Sequence, residues 1–178
     1  LRALPYDRAR TTMRGFALCP DCRRDYEDPA NRRFHDEPIA CPRCGPQLAL
    51  WDPQGKTLDQ GDAALRSAVE ALREGRIVAL KGLGGFQLLV RADLDSPVTE
   101  LRRRKRREAK PLAVMCRSID RVRLFCEVST DEERLLTSSA APIVLLSRRN
   151  PETASLAASV APDNPWLGVM LPYTPLHD

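Results

Sequence analysis

Long apolar runs are missing from this 178-residue chain. None approaches the roughly 18–20 residues that a membrane-spanning helix needs, so no such helix is predicted within the chain. No charged segment followed by an apolar stretch opens the chain, and no secretory signal is visible. The chain also begins without Met and stops at "TPLHD", so it reads as a fragment and the missing signal excludes little. Aromatic residues make up 5%, too few for the stacked platforms on which single-stranded nucleic acid lies. There is no internal repeat, no Walker phosphate loop and no full dinucleotide fingerprint. No evident covalent nucleophile and no carboxylate pair spaced for a metal are found.

What is present suits one domain plus a small module, at about 100–200 residues per domain. The chain is 43% hydrophobic, enough for one sizeable core. Lys and Arg number 28 against 24 Asp and Glu, a formal net charge of +4. That excess permits an anionic partner without demanding one.

Four of the six cysteines stand in two CPxC pairs, Cys19–Cys22 and Cys41–Cys44, eighteen residues apart. CxxC sets two sulfurs on one tight turn, and two such turns supply the four thiolates of a closed structural zinc (Zn2+) site. Such a set leaves no open position for catalytic water. Paired thiols of this kind predict a metal site in a reducing, cytoplasmic location, not a disulfide framework. Gly45, after the second pair, can take the left-handed backbone a knuckle often needs. His35 has two readings, replacement of one cysteine or packing on the ribbon. Cys116 and Cys126 lie in apolar contexts and read as buried, inert thiols.

Residues 1–50 are poor in periodicity and rich in Pro and Cys, as a metal-held module should be; 51–61 reads as linker. From Asp62 the pattern turns regular. "DAALRSAVEALREG" predicts a helix capped by Asp62 and stopped by Gly75. "RIVAL" and "QLLVRA" predict strands around a "KGLGGF" turn. "SPVTELRRRKRREA" predicts a basic helix with a Ser96–Pro97 cap. Then follow a strand ("PLAVMC"), two short capped helices, strands at "APIVLLSRR" and "LGVMLPY", and a helix start at "TPLHD". "ASVAPDNPW" reads as loop. Alternating strands and helices indicate an α/β (α+β) domain over 62–178.

Two stretches there can carry chemistry. Lys81-Gly82-Leu83-Gly84-Gly85-Phe86 is either a plain hairpin turn or a place where backbone N–H groups approach a phosphate closely. The run Arg102 to Arg107, with Lys110 beyond it, is either a solvated helix face or a site for polyphosphate or nucleic acid.

"RALPYDRARTTM", "FALCPDCRRDYEDPANRRFHDEPIACPRCGP", "IVALKGLGGFQLL", "LRRRKRREAKPLAVM", "APIVLLSRR" and "LGVMLPYTPLH" occur in this order. Together they resemble the HypF family, the carbamoyltransferases that mature nickel–iron hydrogenases, across essentially the whole chain. The resemblance implies that residues 1–50 are the second of two zinc modules. It implies that 62–178 begin a YrdC-like twisted-sheet domain, incomplete at its C-terminus because the expected Ser-Gly-Asn segment lies beyond "TPLH". It further implies an ATP-dependent conversion of carbamoyl phosphate to carbamoyl adenylate. Transfer to the C-terminal cysteine of a HypE-like acceptor would follow, in a domain this chain lacks. On that basis the excerpt alone is expected to be inactive.

The same resemblance assigns Lys105 and Arg107 to the triphosphate and carbamoyl groups, with Lys110 as a supporting charge. Lys81, Gly82, Gly84 and Gly85 would line the same cleft, and Mg2+ would arrive on the phosphates. The sequence departs from the family at Gln87 (usually His), Arg91 (usually Asp), Glu108 (commonly Pro) and Asp178 (usually His). The alternative within this fold is a module that binds double-stranded RNA or tRNA, or that forms threonylcarbamoyl adenylate. A spacer role for the zinc module, docking domains or a partner, also stays open.

Overall fold

The computed structural model describes residues 3–82, 84–149 and 156–178. The chain divides into two units, Leu1–Ala68 and Val69–Asp178.

In the first unit, Asp7 and Thr11 cap two short 3-10 turns, Arg8–Arg10 and Thr12–Gly15. Helix α1, Pro20–Glu27, starts on Cys19 with proline at a first-turn position, where a missing N–H does no harm. Arg8 is buried, and its guanidinium donates to the carbonyls of Glu37 and Ile39 at 2.7 Å each and of Phe16 at 3.0 Å. One side chain thus ties the N-terminal turns to the loop that leads into the second cysteine pair.

Strands β1 (Ala49–Trp51) and β2 (Thr57–Gln60) pair antiparallel. The stretch read as linker, 51–61, therefore holds the turn and second strand of a hairpin. The cause is Asp52: its carboxylate accepts from the N–H groups of Gln54 and Lys56, both at 2.9 Å, and Gly55 supplies the positive φ the turn requires. Helix α2 runs Gly61–Arg73, so Asp62 lies in its first turn, not at its cap.

In the second unit, β3 (Val78–Lys81) and β4 (Phe86–Leu89) pair antiparallel about the glycine turn, with Lys81 opposite Phe86. Helix α3 covers Asp95–Lys105. It begins one residue before the expected Ser96–Pro97 cap, because the Asp95 carboxylate accepts from the Ser159 N–H at 3.1 Å and anchors the first turn. It stops at Lys105, where Arg106 turns left-handed with φ 50°. The run of six bases is thus not one helix face.

Strand β5 (Val114–Met115), helices α4 (Ile119–Arg123) and α5 (Thr130–Leu136), and strands β6 (Val144–Ser147) and β7 (Trp166–Met170) complete the unit. Ser118 caps α4, and Ser129 with Glu132 forms a capping box on α5. The segment 158–160, expected as loop, makes one 3-10 turn, and Thr174–His177 forms a turn where a helix start was expected.

The three-stranded sheet is ordered β5-β7-β6, with β5 parallel and β6 antiparallel to β7. Val98, Val122, Leu136, Leu146, Leu167 and Val169 pack together in one core cluster. Cys116 and Cys126 are buried in the same cluster, and burial lifts both thiols to about 11, as inert cysteines require. Among the described residues, no helix is long and apolar enough to cross a membrane.

Candidate metal centre and anion groove

The first unit brings all four predicted ligands together. Cys19 sits at the N-cap of α1 and Cys22 in its first turn. The second knuckle closes with the N–H groups of Cys44 and Gly45 on the Cys41 carbonyl, at 3.1 and 2.8 Å. Gly45 has no positive φ; it is needed for space. A Cβ there would lie 2.8 Å from that of Ala40 and 3.1 Å from the Cys41 oxygen.

The four Sγ atoms lie within 4.8 Å of one another, with Cys41 at 3.7 Å from both Cys19 and Cys44. Four sulfurs at about 2.3 Å from one ion in a tetrahedron would stand roughly 3.8 Å apart, so the donor set fits zinc. None of the four is in a disulfide. The Cys22 N–H, with help from Arg43, pulls the Cys19 thiol down to about 6, whereas burial pushes Cys22 up to about 12. His35 is not in the cluster. Its ring packs on Phe34 and Tyr26, at 4.5 and 4.9 Å between centroids, so it belongs to the ribbon's packing.

In the second unit, the glycine turn and the C-terminal segment meet. The Gly82 N–H donates to the Gly85 carbonyl at 2.8 Å, and Gly85 has φ +145°. Open space surrounds Gly84 and Gly85, while a Cβ on Gly82 would stand 3.4 Å from the Tyr173 hydroxyl. Gln87 donates to that hydroxyl and accepts from His177 Nε2 at 3.1 Å, while His177 Nδ1 faces the Thr174 hydroxyl at 2.7 Å. Lys81 lies over the Phe86 ring, its Nζ 5.4 Å from the centroid. Beyond Tyr173 opens a groove of about 550 Å³, lined by Arg117, Ser138, Ser139, Leu171, Thr174 and Asp178 among others.

The basic run divides by role. Arg102 is 7% exposed and donates to five backbone carbonyls. Arg103 and Arg104 share the Glu100 carboxylate and hold it down to about 2. Arg107 donates to the carbonyls of Lys110 and Pro111. Lys105 and Lys110 are exposed and, among the described residues, make no ion pair.

Gln87, a family departure, is the hinge of the Tyr173–His177 network. Arg91 pairs with Asp93 and donates to the Arg73 carbonyl at 3.1 Å, a local brace. Sequence reasoning did not single out Tyr173, Thr174, Arg117 or the paired serines. Their only signal is the string "PYTPLH", whose meaning depends on the hairpin it meets.

Residues 18–51 match the HypF finger family, and residues 70–178, more than half of the chain, match the Sua5/YciO/YrdC family, described as telomere recombination. Carbamoyltransferase HypF of Rhodobacter capsulatus is 52% identical over 99% of this chain. The chain belongs to the HypF family. It spans 23% of the length of that HypF relative. A crystal structure of full-length HypF in the phosphate- and nucleotide-bound form matches 99% of the chain at TM-score 0.83 and 46% identity, covering 22% of that protein. HypF of T. kodakarensis matches at TM-score 0.85 and 45% identity, over 99% of this chain and 23% of its own.

Proposed function

We propose that this chain forms the zinc module and nucleotide-binding part of an ATP-dependent carbamoyltransferase. The complete protein would make carbamoyl adenylate and pass the carbamoyl group to the C-terminal cysteine of a HypE-like acceptor. The observation that carries this reading is the likeness of 99% of the chain to a HypF that holds phosphate and nucleotide. The groove beside the glycine turn and the exposed lysines supply chemistry to match. Six cysteines free of disulfides suit a reducing compartment, and the cytoplasm is the proposed location.

Zinc would be held by Cys19, Cys22, Cys41 and Cys44 and would act on the fold, since four thiolates close its coordination. The chemistry is assigned to the second unit. Water cleaves the acyl-phosphate linkage of carbamoyl phosphate, giving inorganic phosphate and carbamate; a carbamate oxygen then attacks the α-phosphorus of ATP, and pyrophosphate leaves. Negative charge is redistributed on the phosphates, so positioned cations and N–H groups are what the protein must contribute. Lys105 and Lys110 provide unpaired ammonium groups. Arg107 shapes the loop between them and adds its charge. Lys81 and the backbone at Gly82, Gly84 and Gly85 would face the triphosphate, with open space at Gly84 and Gly85 for its approach, and Mg2+ would arrive with it.

The RNA reading loses support from the same geometry. Four of the six bases are engaged, Arg102 and Arg107 by backbone carbonyls and Arg103 and Arg104 by Glu100, so fewer cations meet a phosphate backbone than the run suggests. The deciding measurement is exchange of labelled pyrophosphate into ATP by the full-length protein. Exchange that requires carbamoyl phosphate is expected. No exchange, together with RNA affinity that falls steeply with salt, would replace this reading with the RNA one.

A further inference from the structure

We propose that Arg102 is a positioning residue for the anion-binding loop, holding Arg107–Lys110 in the shape that presents cations and not carbonyl oxygens to a phosphate. The inference rests on the nucleotide reading above and deepens it.

Arg102 leaves the last turns of α3 toward the protein interior. Nη1 donates to the carbonyls of Arg107, Glu108 and Lys110 at 3.0, 3.1 and 3.2 Å. Nη2 donates to the Val160 carbonyl at 3.0 Å, and Nε to that of Ser159. No carboxylate pairs with this cation among the described residues. A buried guanidinium is tolerated only where its donors are satisfied, and here backbone oxygens alone satisfy them. The consequence for the loop is electrostatic. Three of its carbonyl oxygens, each a partial negative charge, turn inward onto Arg102. Left free, such oxygens would repel an incoming triphosphate. With them withdrawn, the end of α3 and the loop offer the ammonium groups of Lys105 and Lys110.

The same guanidinium fastens the loop to 159–160, which is braced from both sides. Asp95 accepts from the Ser159 N–H, and the Val160 carbonyl also accepts from the Leu112 N–H at 2.9 Å. Arg102 thus links the start of α3, the loop and the approach to β5. Lysine cannot replace it, since an ammonium lacks the planar fork that reaches two segments at once.

The test uses the full-length protein and pyrophosphate exchange titrated with ATP. For Arg102→Lys the KM for ATP should rise about tenfold while kcat stays within about threefold, because binding geometry is lost and not a reacting group. Combined with Lys105→Ala, the KM effects should fall short of their product, since both act on one anion-binding site. Asp95→Ala, at an exposed site, loosens the Ser159 brace and should raise the same KM about twofold. It decides the matter alone if Arg102→Lys does not fold. An unchanged KM in a folded Arg102→Lys, effects that multiply independently, or a wild-type KM in Asp95→Ala would each overturn the inference. Unchanged exchange in Lys105→Ala marks failure of the nucleotide site itself. Lowered exchange there, with unchanged KM in Arg102→Lys, marks failure of this inference only.

Discussion

Lys105 and Arg107 stand two positions apart in one basic motif, yet they do different things. Among the described residues the Lys105 ammonium makes no ion pair, so Lys105→Ala should lower pyrophosphate exchange about tenfold with no change in melting temperature. Arg107 also holds the Lys110 and Pro111 carbonyls. Its replacement by Ala should therefore lower both exchange and stability, the latter by about 1 kcal/mol. Calorimetry beside the exchange assay separates the two, and equal melting shifts would refute the division. The sequence shows six similar letters; it does not show that Arg102 faces inward, because that depends on a helix ending at Lys105 and on carbonyls that include two more than fifty residues away. The cysteines were legible for the opposite reason. Their spacing is itself the geometry, since each pair lies on one turn. Cys41→Ser should abolish stoichiometric zinc in the purified protein, read by metal analysis, while exposing no disulfide in the remaining thiols.

Helices and strands were legible where the chain carries its own start and stop signals. The capping box on α5 is local: Ser129 takes the Glu132 N–H while the Glu132 carboxylate takes the Ser129 N–H, at 2.7 Å. The Ser129 hydroxyl, donating to that carboxylate at 2.6 Å, and the Ser129 N–H hold the Glu132 carboxyl below its usual 4.5. A depressed carboxylate stabilises the fold above its unfolded pKa, and the contribution is lost as pH falls through the folded value. Ser129→Ala should thus destabilise by about 1 kcal/mol near neutral pH. The difference from wild type should shrink as pH drops below 4.5, as followed by thermal melts across that range; a pH-independent difference would count against the capping box. Elements that depend on distant partners were harder to read. Only two residues of "PLAVMC" become strand, since β5 is limited by its pairing with Val169 and Met170. The hairpin of β1 and β2 hid behind polar residues, although Asp52 and Gly55 are ordinary turn signals.

The two units suggest separate responses to metal loss. Stripping zinc with a chelator should speed amide hydrogen exchange around Cys19–Cys44, because the first unit there has few buried apolar side chains besides Cys22 and Ile39. The sheet of the second unit, with Leu146, Leu167 and Val169 fully buried, should keep its protection. Simultaneous loss in both would show that the zinc module stabilises the whole chain. Leu146→Ala gives the converse: about 2–5 kcal/mol lost from the second unit with zinc retained. The order β5-β7-β6 has a further consequence for how the chain is made. Of these three strands the central one is synthesised last, so Val114 waits for Val169, and β6, bordered at its end by the bridge of Cys126 with Arg148, waits for its ladder with Trp166–Met170. The cysteine module, complete by Cys44, can take its metal while the sheet is still an unpaired set of edges. For that interval the nascent second half is open to wrong strand partners, and the time to translate from β6 to β7 is the time it is exposed.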